Sequence, residues 1–233
     1  MTGGNLEESV NYGMAVLNDA PCGPEATIVA TGLGRSGTTM LARIMEESGL
    51  EMGERLTGNT REYKELQVMI KSGDHLAFEN FCKAQSRKTP KWGFKVPAFR
   101  NRMAAYEVSM MQPRFIVIFR DILAISLRNN IAIGTELMSA IGNALKGYSV
   151  LLDNIAKLKS PVLMISYEKA LQFPERTVAE MTGFMGLTLS QARIAEIAGI
   201  AVHNSDPSYL LHRIPPEPLA AVETLSDLVP GVE

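Results

Sequence analysis

Eight consecutive residues, Gly32-Leu-Gly-Arg-Ser-Gly-Thr-Thr39, bring three glycines, one arginine and three hydroxyls into one short stretch. Glycines let a backbone come close to an anion, successive N–H groups and hydroxyls donate to it, and a cation adds charge. These residue types suit the cradling of a phosphate ester. The spacing narrows the ester. In a Walker loop the second glycine is followed by a lysine and then a hydroxyl. Counted from Gly32, the glycine is Gly37 and the hydroxyl is Thr39, but Thr38 fills the lysine slot and the cation lies upstream at Arg35. A nucleoside triphosphatase uses that lysine on its β- and γ-phosphates. This loop is therefore expected to hold another phosphate ester, and the plain alternative is an ordinary strand-to-helix turn.

Other groups capable of chemistry are scattered. Cys22 and Cys82 are the only cysteines and have no metal-ligand spacing, so both read as reduced, structural thiols. No carboxylate cluster has metal-ligand character, so no metal is expected. Between Lys83 and Tyr106 every charge is basic: Lys83, Arg87, Lys88, Lys91, Lys95, Arg100 and Arg102. Such a run is either a solvated face or a means of drawing in an anion.

The elements that must position these groups follow from the apolar pattern. Thr27–Thr31 is β-branched and bounded by glycines, which predicts a buried strand leading into the loop. Thr38–Ser48 carries Met40, Leu41, Ile44 and Met45 at helical spacing, with Gly49 to cap it. A helix opening there would add the positive end of its dipole to the loop. Further strands are expected at Trp92–Val96, Phe115–Phe119 and Pro161–Ser166. Helices are expected near Glu7–Leu17, at Glu62–Ile70, His75–Phe81 and Arg100–Met111, from about Ile122, at Glu136–Leu158 and Pro174–Met185, and at Gln191–Ala198, where Gly199 would end the last one. Strands alternating with helices, without hairpin dipeptides, predict an α/β fold: a central, mostly parallel sheet flanked by helices in three layers.

The chain of 233 residues, 46% apolar, is enough for one core and too short to require two. It is expected to be one domain, with residues 1–25 as an N-terminal extension and 204–233 as an irregular C-terminal tail. The formal net charge of −2 gives no global field for nucleic acid. No stretch approaches the length of a membrane span, and the start of the chain has no signal-like pattern, so a cytoplasmic location is the simplest expectation.

With those elements in place, the sequence resembles the sulfotransferase family. Arg35-Ser-Gly-Thr-Thr39 is similar to the family loop for the 5′-phosphosulfate of the donor PAPS (3′-phosphoadenosine-5′-phosphosulfate), with Gly34 where a proline is usual. Trp92–Pro97 resembles the family's central strand ending in lysine. Phe115–Asp121 resembles the strand and arginine that bind the 3′-phosphate. Ile165–Glu168, Phe173–Glu175 and Gly183–Leu187 resemble its closing segment, so the likeness runs from about Thr27 to Leu187. It implies a P-loop-like fold, PAPS as donor and 3′,5′-ADP as product. It also implies donor binding by Gly34, Arg35, Ser36, Gly37, Thr38, Thr39, Arg120, Ser126 and Tyr167, and catalysis involving Arg35, Lys95 and Glu62.

Three positions depart from the family pattern. Eight residues after Arg120, where a serine is usual, stands Arg128; the nearest serine, Ser126, is two residues earlier and about 200° away on a helix. Pro97 occupies the place of the base histidine used by one branch. No Arg-Lys-Gly segment is found near the C-terminus. With the histidine gone, Glu62 is the candidate base, as in the branch that uses a glutamate; His75, Asp74 and Glu65 are rivals, and a solvated helix residue is the plain reading of Glu62. The acceptor is a small molecule or glycan with a hydroxyl or amine to give, and oligomeric state is not legible. A P-loop kinase or NTPase, or a nucleotide-binding module without turnover, are the other readings.

Overall fold

In β2 (Ala26–Gly32) all seven residues are buried, and the strand has a neighbour on each side. The structure, a computed structural model, describes residues 10–53, 56–57 and 61–202. The chain divides into two compact units, Met1–His203 and Asn204–Glu233, and all described residues lie in the first. The tail expected over residues 204–233 is outside the described residues.

The elements run in the following order. A short strand β1 (Met14–Leu17) precedes β2, and α1 (Thr38–Glu47) follows it. Then come β3 (Leu56–Thr57), β4 (Glu62–Tyr63), α2 (Lys64–Ser72), α3 (His75–Lys88) and β5 (Lys91–Lys95). After β5 the chain makes two 3₁₀ turns around a single α-turn, α4 (Met103–Tyr106), and enters β6 (Arg114–Phe119). It ends with α5 (Ile122–Ile133), α6 (Leu137–Ile155), β7 (Val162–Ser166), α7 (Tyr167–Gln172), α8 (Pro174–Phe184) and α9 (Gln191–Ala201).

The main sheet has the order β1-β7-β6-β2-β5, in which β5, β2, β6 and β7 are parallel and β1 runs antiparallel on the edge of β7. Side chains alternate between its faces, as the two-residue period of a strand requires. Ile28, Ala30, Ile116 and Ile118 join one core with α1, α8 and α9. Val29, Phe115 and Val117 join another with α2, α3, α4 and α6. The result is the three-layer α/β architecture expected from the pattern.

Register decides what meets at the carboxyl ends of the strands. Ala30 pairs with Lys95, Gly32 with Ile118, and Phe119 with Ser166. The glycine loop, Lys95, Arg120 and Tyr167 therefore leave four adjacent strands at one edge. The chain passes from β2 to β5 on one side, then to β6 on the other, so a crevice opens above β2, where ligands of open α/β sheets bind.

Several elements differ from expectation. The stretch expected as a helix over Glu7–Leu17 ends in strand β1, because Met14–Leu17 finds the open edge of β7; its first residues lie outside the described set. Glu62 and Tyr63 form β4, and the helix starts only at Lys64. Arg100–Met111 breaks into short turns, since Phe99, Met103, Tyr106 and Met110 are all drawn into one aromatic core. Gly199 does not end α9, which continues to Ala201 because Ala198 and Ala201 remain buried against α1 and α8.

Candidate functional site

The loop begins where β2 ends, and it is built from its own small residues. Ser36 donates its hydroxyl to the Leu33 carbonyl at 2.7 Å, and its N–H reaches the same oxygen at 3.2 Å. Ser36 is fully buried, so it closes the turn from within. Arg35 is held at φ 70°, a left-handed conformation unusual for a side chain of its size, and it is exposed beside the equally exposed Gly34. Gly37, at φ 104°, precedes α1, whose first turn has no side-chain cap and no acidic residue. The opening N–H groups of a helix have no partner within it. Here those of Gly37, Thr38 and Thr39 belong to the same bend as the Arg35 guanidinium, which no described residue pairs with.

Arg120 is joined to this loop. It is 8% exposed, and its Nη1 donates to the Arg35 carbonyl at 3.1 Å. Its guanidinium lies 4.2 Å from the centroid of the Tyr167 ring. Its Nε is buried and has no hydrogen-bond partner. The Tyr167 ring also covers Gly37 so closely that a Cβ there would sit 2.4 Å from ring carbon Cδ2. Behind Arg120, the Tyr148 hydroxyl donates to the Arg120 carbonyl at 2.6 Å and accepts from its N–H at 2.8 Å. Burial pushes the Tyr148 phenol above its usual range, so it keeps the proton it donates. Nothing in the sequence distinguishes Tyr148 from an ordinary core residue of a long helix.

Lys95 and Glu62 meet beside the loop. Lys95 Nζ lies 3.1 Å from Glu62 Oε1, with the lysine side chain 2% exposed and the glutamate 15%. Gln67 donates to Glu62 Oε2 at 2.7 Å, so both carboxylate oxygens are held. Burial lowers the Lys95 pKa below the ordinary lysine range, and Glu62 partly offsets this by charge and by hydrogen bond. The strand end itself is tied to β2: the Thr31 hydroxyl lies 3.2 Å from the Val96 carbonyl and 3.3 Å from that of Pro97.

Other candidates stand elsewhere. Ser126 is buried on α5 and gives its hydroxyl proton to the Ile122 carbonyl at 2.8 Å, inside its own helix. His75 stacks on Tyr106 at 4.1 Å, and Asp74 caps α3 by accepting from Ala77 N–H. The basic run does not form one face. Lys83 pairs with Glu79, Lys91 bonds the Gly186 carbonyl, and Arg100 bonds the Pro97 carbonyl. Among the described residues no cluster of three or more His, Cys, Asp or Glu could hold a metal, and no helix is long and apolar enough to cross a membrane.

The loop geometry gives a stability test. Gly37→Ala adds a Cβ against Tyr167 at a positive φ, so we expect a loss of about 1–3 kcal/mol in denaturant unfolding. Gly34→Ala, where a Cβ meets nothing within 4 Å, should cost less than about 0.5 kcal/mol. Equal costs at both positions would show that the packing of Tyr167 on Gly37 does not shape the loop.

A glycine loop between a parallel strand and an uncapped helix, at the switch point of a three-layer sheet, defines an α/β protein of P-loop-like architecture. Its particular fold is the sulfotransferase fold. Mouse sulfotransferase SULT7A1, complexed with PAP, superposes with a TM-score of 0.50 at 18% identity, over 82% of this chain and 72% of that one. The sulfotransferase domain of the Synechococcus olefin synthase gives a TM-score of 0.49 at 16% identity, over 84% and 86%. No protein-family profile and no curated protein matches the sequence.

Proposed function

We propose that the protein is a PAPS-dependent sulfotransferase that passes a sulfuryl group to an acceptor hydroxyl or amine and releases 3′,5′-ADP. The observation that carries this reading is Arg120, a nearly buried cation with an unpartnered Nε, bonded to the backbone of a phosphate-type loop that has no Walker lysine. A donor with phosphates at both its 3′ and 5′ positions would use two such anion sites at once. In this reading the loop N–H groups and Arg35 take the 5′ end, and Arg120, steadied by Tyr167 and Tyr148, takes the 3′-phosphate. Ser126 would join that site only by turning from the Ile122 carbonyl. The PAP held by the mouse neighbour is 3′,5′-ADP, in keeping with this assignment.

The proposed reaction is an in-line displacement at sulfur. The acceptor oxygen or nitrogen forms a bond to sulfur while the bond from sulfur to the bridging phosphate oxygen breaks. The acceptor proton passes to Glu62, and the charge that grows on the leaving phosphate faces Arg35. Lys95, paired with Glu62 at the end of the strand next to β2, would share in that charge. No step calls for a metal.

Thermal shift tests the reading, because a ligand that binds only the folded state raises the melting temperature. 3′,5′-ADP is expected to stabilise the protein far more than ATP with Mg²⁺, and transfer from labelled PAPS should persist in EDTA. Preferential stabilisation by ATP–Mg²⁺, with activity lost in EDTA and restored by Mg²⁺, would point to a kinase. Binding of 3′,5′-ADP without turnover over a broad acceptor screen would point to a module that only holds the nucleotide.

A further inference from the structure

The long helix α6 leaves one strip of its surface uncovered. Ala140, Ala144, Tyr148, Leu151 and Ile155 are buried against the rest of the chain. Met138, Leu145 and Leu152 are not: they are 64%, 53% and 51% exposed. These three recur every seven residues, and Gly142 and Ser149 lie between them. At about 100° per residue, all five fall within about 40° of one line along the helix. A Cβ on Gly142 would meet nothing within 4 Å, and Ser149 is exposed, so the strip is open along its length. An apolar strip of this width and spacing matches the narrow seam by which two helices pair.

One flank of the strip carries charge. Lys146 and Asp153, again seven residues apart, are both exposed, and neither pairs with an opposite charge among the described residues. The other flank, with Ile141 and Tyr148, carries none. The charged flank is therefore positive towards the start of the helix and negative towards its end.

We propose that this strip is the contact face of a homodimer, in which α6 packs antiparallel on α6 of a second copy of this chain. The charged flank selects that occupant. In a two-fold antiparallel pair each flank meets the same flank of its partner. With Ser149 at the axis, Leu145 lies against the partner subunit's Leu152, and Lys146 faces the partner subunit's Asp153. One register thus joins apolar side chains and opposite charges, and the symmetry repeats both contacts. A parallel pair would set Lys146 and Asp153 against the uncharged flank instead. Ser149, the small residue at the axis, lets the two helices approach closely. Burial of the leucines drives the association, and the charges fix its direction. None of these contact residues is assigned to the nucleotide site, so the dimer does not depend on what the glycine loop binds.

Sedimentation equilibrium of the whole protein tests this, with circular dichroism to confirm that each variant is folded. The wild-type protein should show a monomer–dimer equilibrium. Leu145→Glu should raise the dimer dissociation constant by about tenfold or more, since it puts a charge into the seam. Lys146→Glu sets carboxylates against each other at both ends of the pair and should weaken the dimer severalfold. Adding Asp153→Lys to the same chain makes the charges opposite again and should recover the dimer. A wild-type protein that stays monomeric up to its highest soluble concentration overturns the proposal, whatever else covers the strip. So does a dimer indifferent to Leu145→Glu, which would use another face. Should Leu145→Glu fail to fold, the charge pair decides: recovery in the Lys146→Glu, Asp153→Lys double variant supports the antiparallel pair, and no recovery refutes it.

Discussion

Replacing Glu62 by glutamine is expected to lower turnover by about 10²–10⁴-fold while leaving 3′,5′-ADP affinity nearly unchanged. A general base acts on the acceptor proton and not on the donor nucleotide, so its loss falls on kcat. The geometry adds a complication that the experiment must separate. Glu62 is also the partner of Lys95, whose side chain is 2% exposed. Removing the carboxylate leaves that ammonium buried and unpaired, which is strongly destabilising in general. Turnover must therefore be measured where the variant is folded. The double variant Glu62→Gln with Lys95→Met should recover stability without recovering turnover. Near-normal turnover in folded Glu62→Gln would reduce Glu62 to a structural partner of the lysine.

The same pair gives a pH dependence with a definite sign. Burial lowers the folded pKa of Lys95, so above that pKa the unfolded chain binds more protons at this residue than the folded chain does. Stability from this group therefore rises as pH increases through the folded pKa towards the unfolded one. Glu62 supplies both influences that hold the Lys95 pKa up. In Glu62→Gln this rise should begin at lower pH than in the wild-type protein, which urea unfolding across an alkaline series would detect.

The second large effect is expected at Arg35. Arg35→Ala should cut turnover by about 10²–10³-fold, the usual loss when one donor to transition-state charge is removed. Donor binding should suffer less, because the loop N–H groups and Arg120 remain. The backbone at φ 70° makes the comparison unusually clean. Arg35→Gly removes the same charge but relieves the left-handed strain, so it should be at least as stable as Arg35→Ala and just as slow. Arg35→Lys should regain part of the rate. If Arg35→Gly turned over like the wild-type protein, the guanidinium would have no share in the chemistry.

Much of this arrangement was legible in the sequence because it is local. The β-branched run before Gly32 and the helical spacing after Thr38 specify a strand, a turn and a helix without help from the rest of the chain. The strands at Trp92 and Phe115 were legible for the same reason, and parallel pairing then places Lys95 and Arg120 beside the loop. What the sequence concealed depends on long-range contact. Met14–Leu17 has no strand pattern strong enough to announce itself, yet it pairs with β7. The helical period over Arg100–Met111 gives way to short turns because an aromatic cluster around Phe99 and Tyr106 takes those side chains at other angles. The bracing of Arg120 by Tyr148, 28 residues away, comes from tertiary packing alone. The offset at Ser126 was visible in the sequence, and its hydroxyl is bonded within its own helix.

The central claim is that two anion sites, the glycine loop and Arg120, bind one nucleotide. Calorimetry of 3′,5′-ADP against 5′-AMP tests it most directly, since the two ligands differ only in the 3′-phosphate. A charge-assisted contact to a nearly buried arginine should make 3′,5′-ADP bind about 10–100-fold more tightly. In Arg120→Met that advantage should vanish, with 5′-AMP affinity little changed. Equal affinities of the wild-type protein for the two nucleotides would contradict the account.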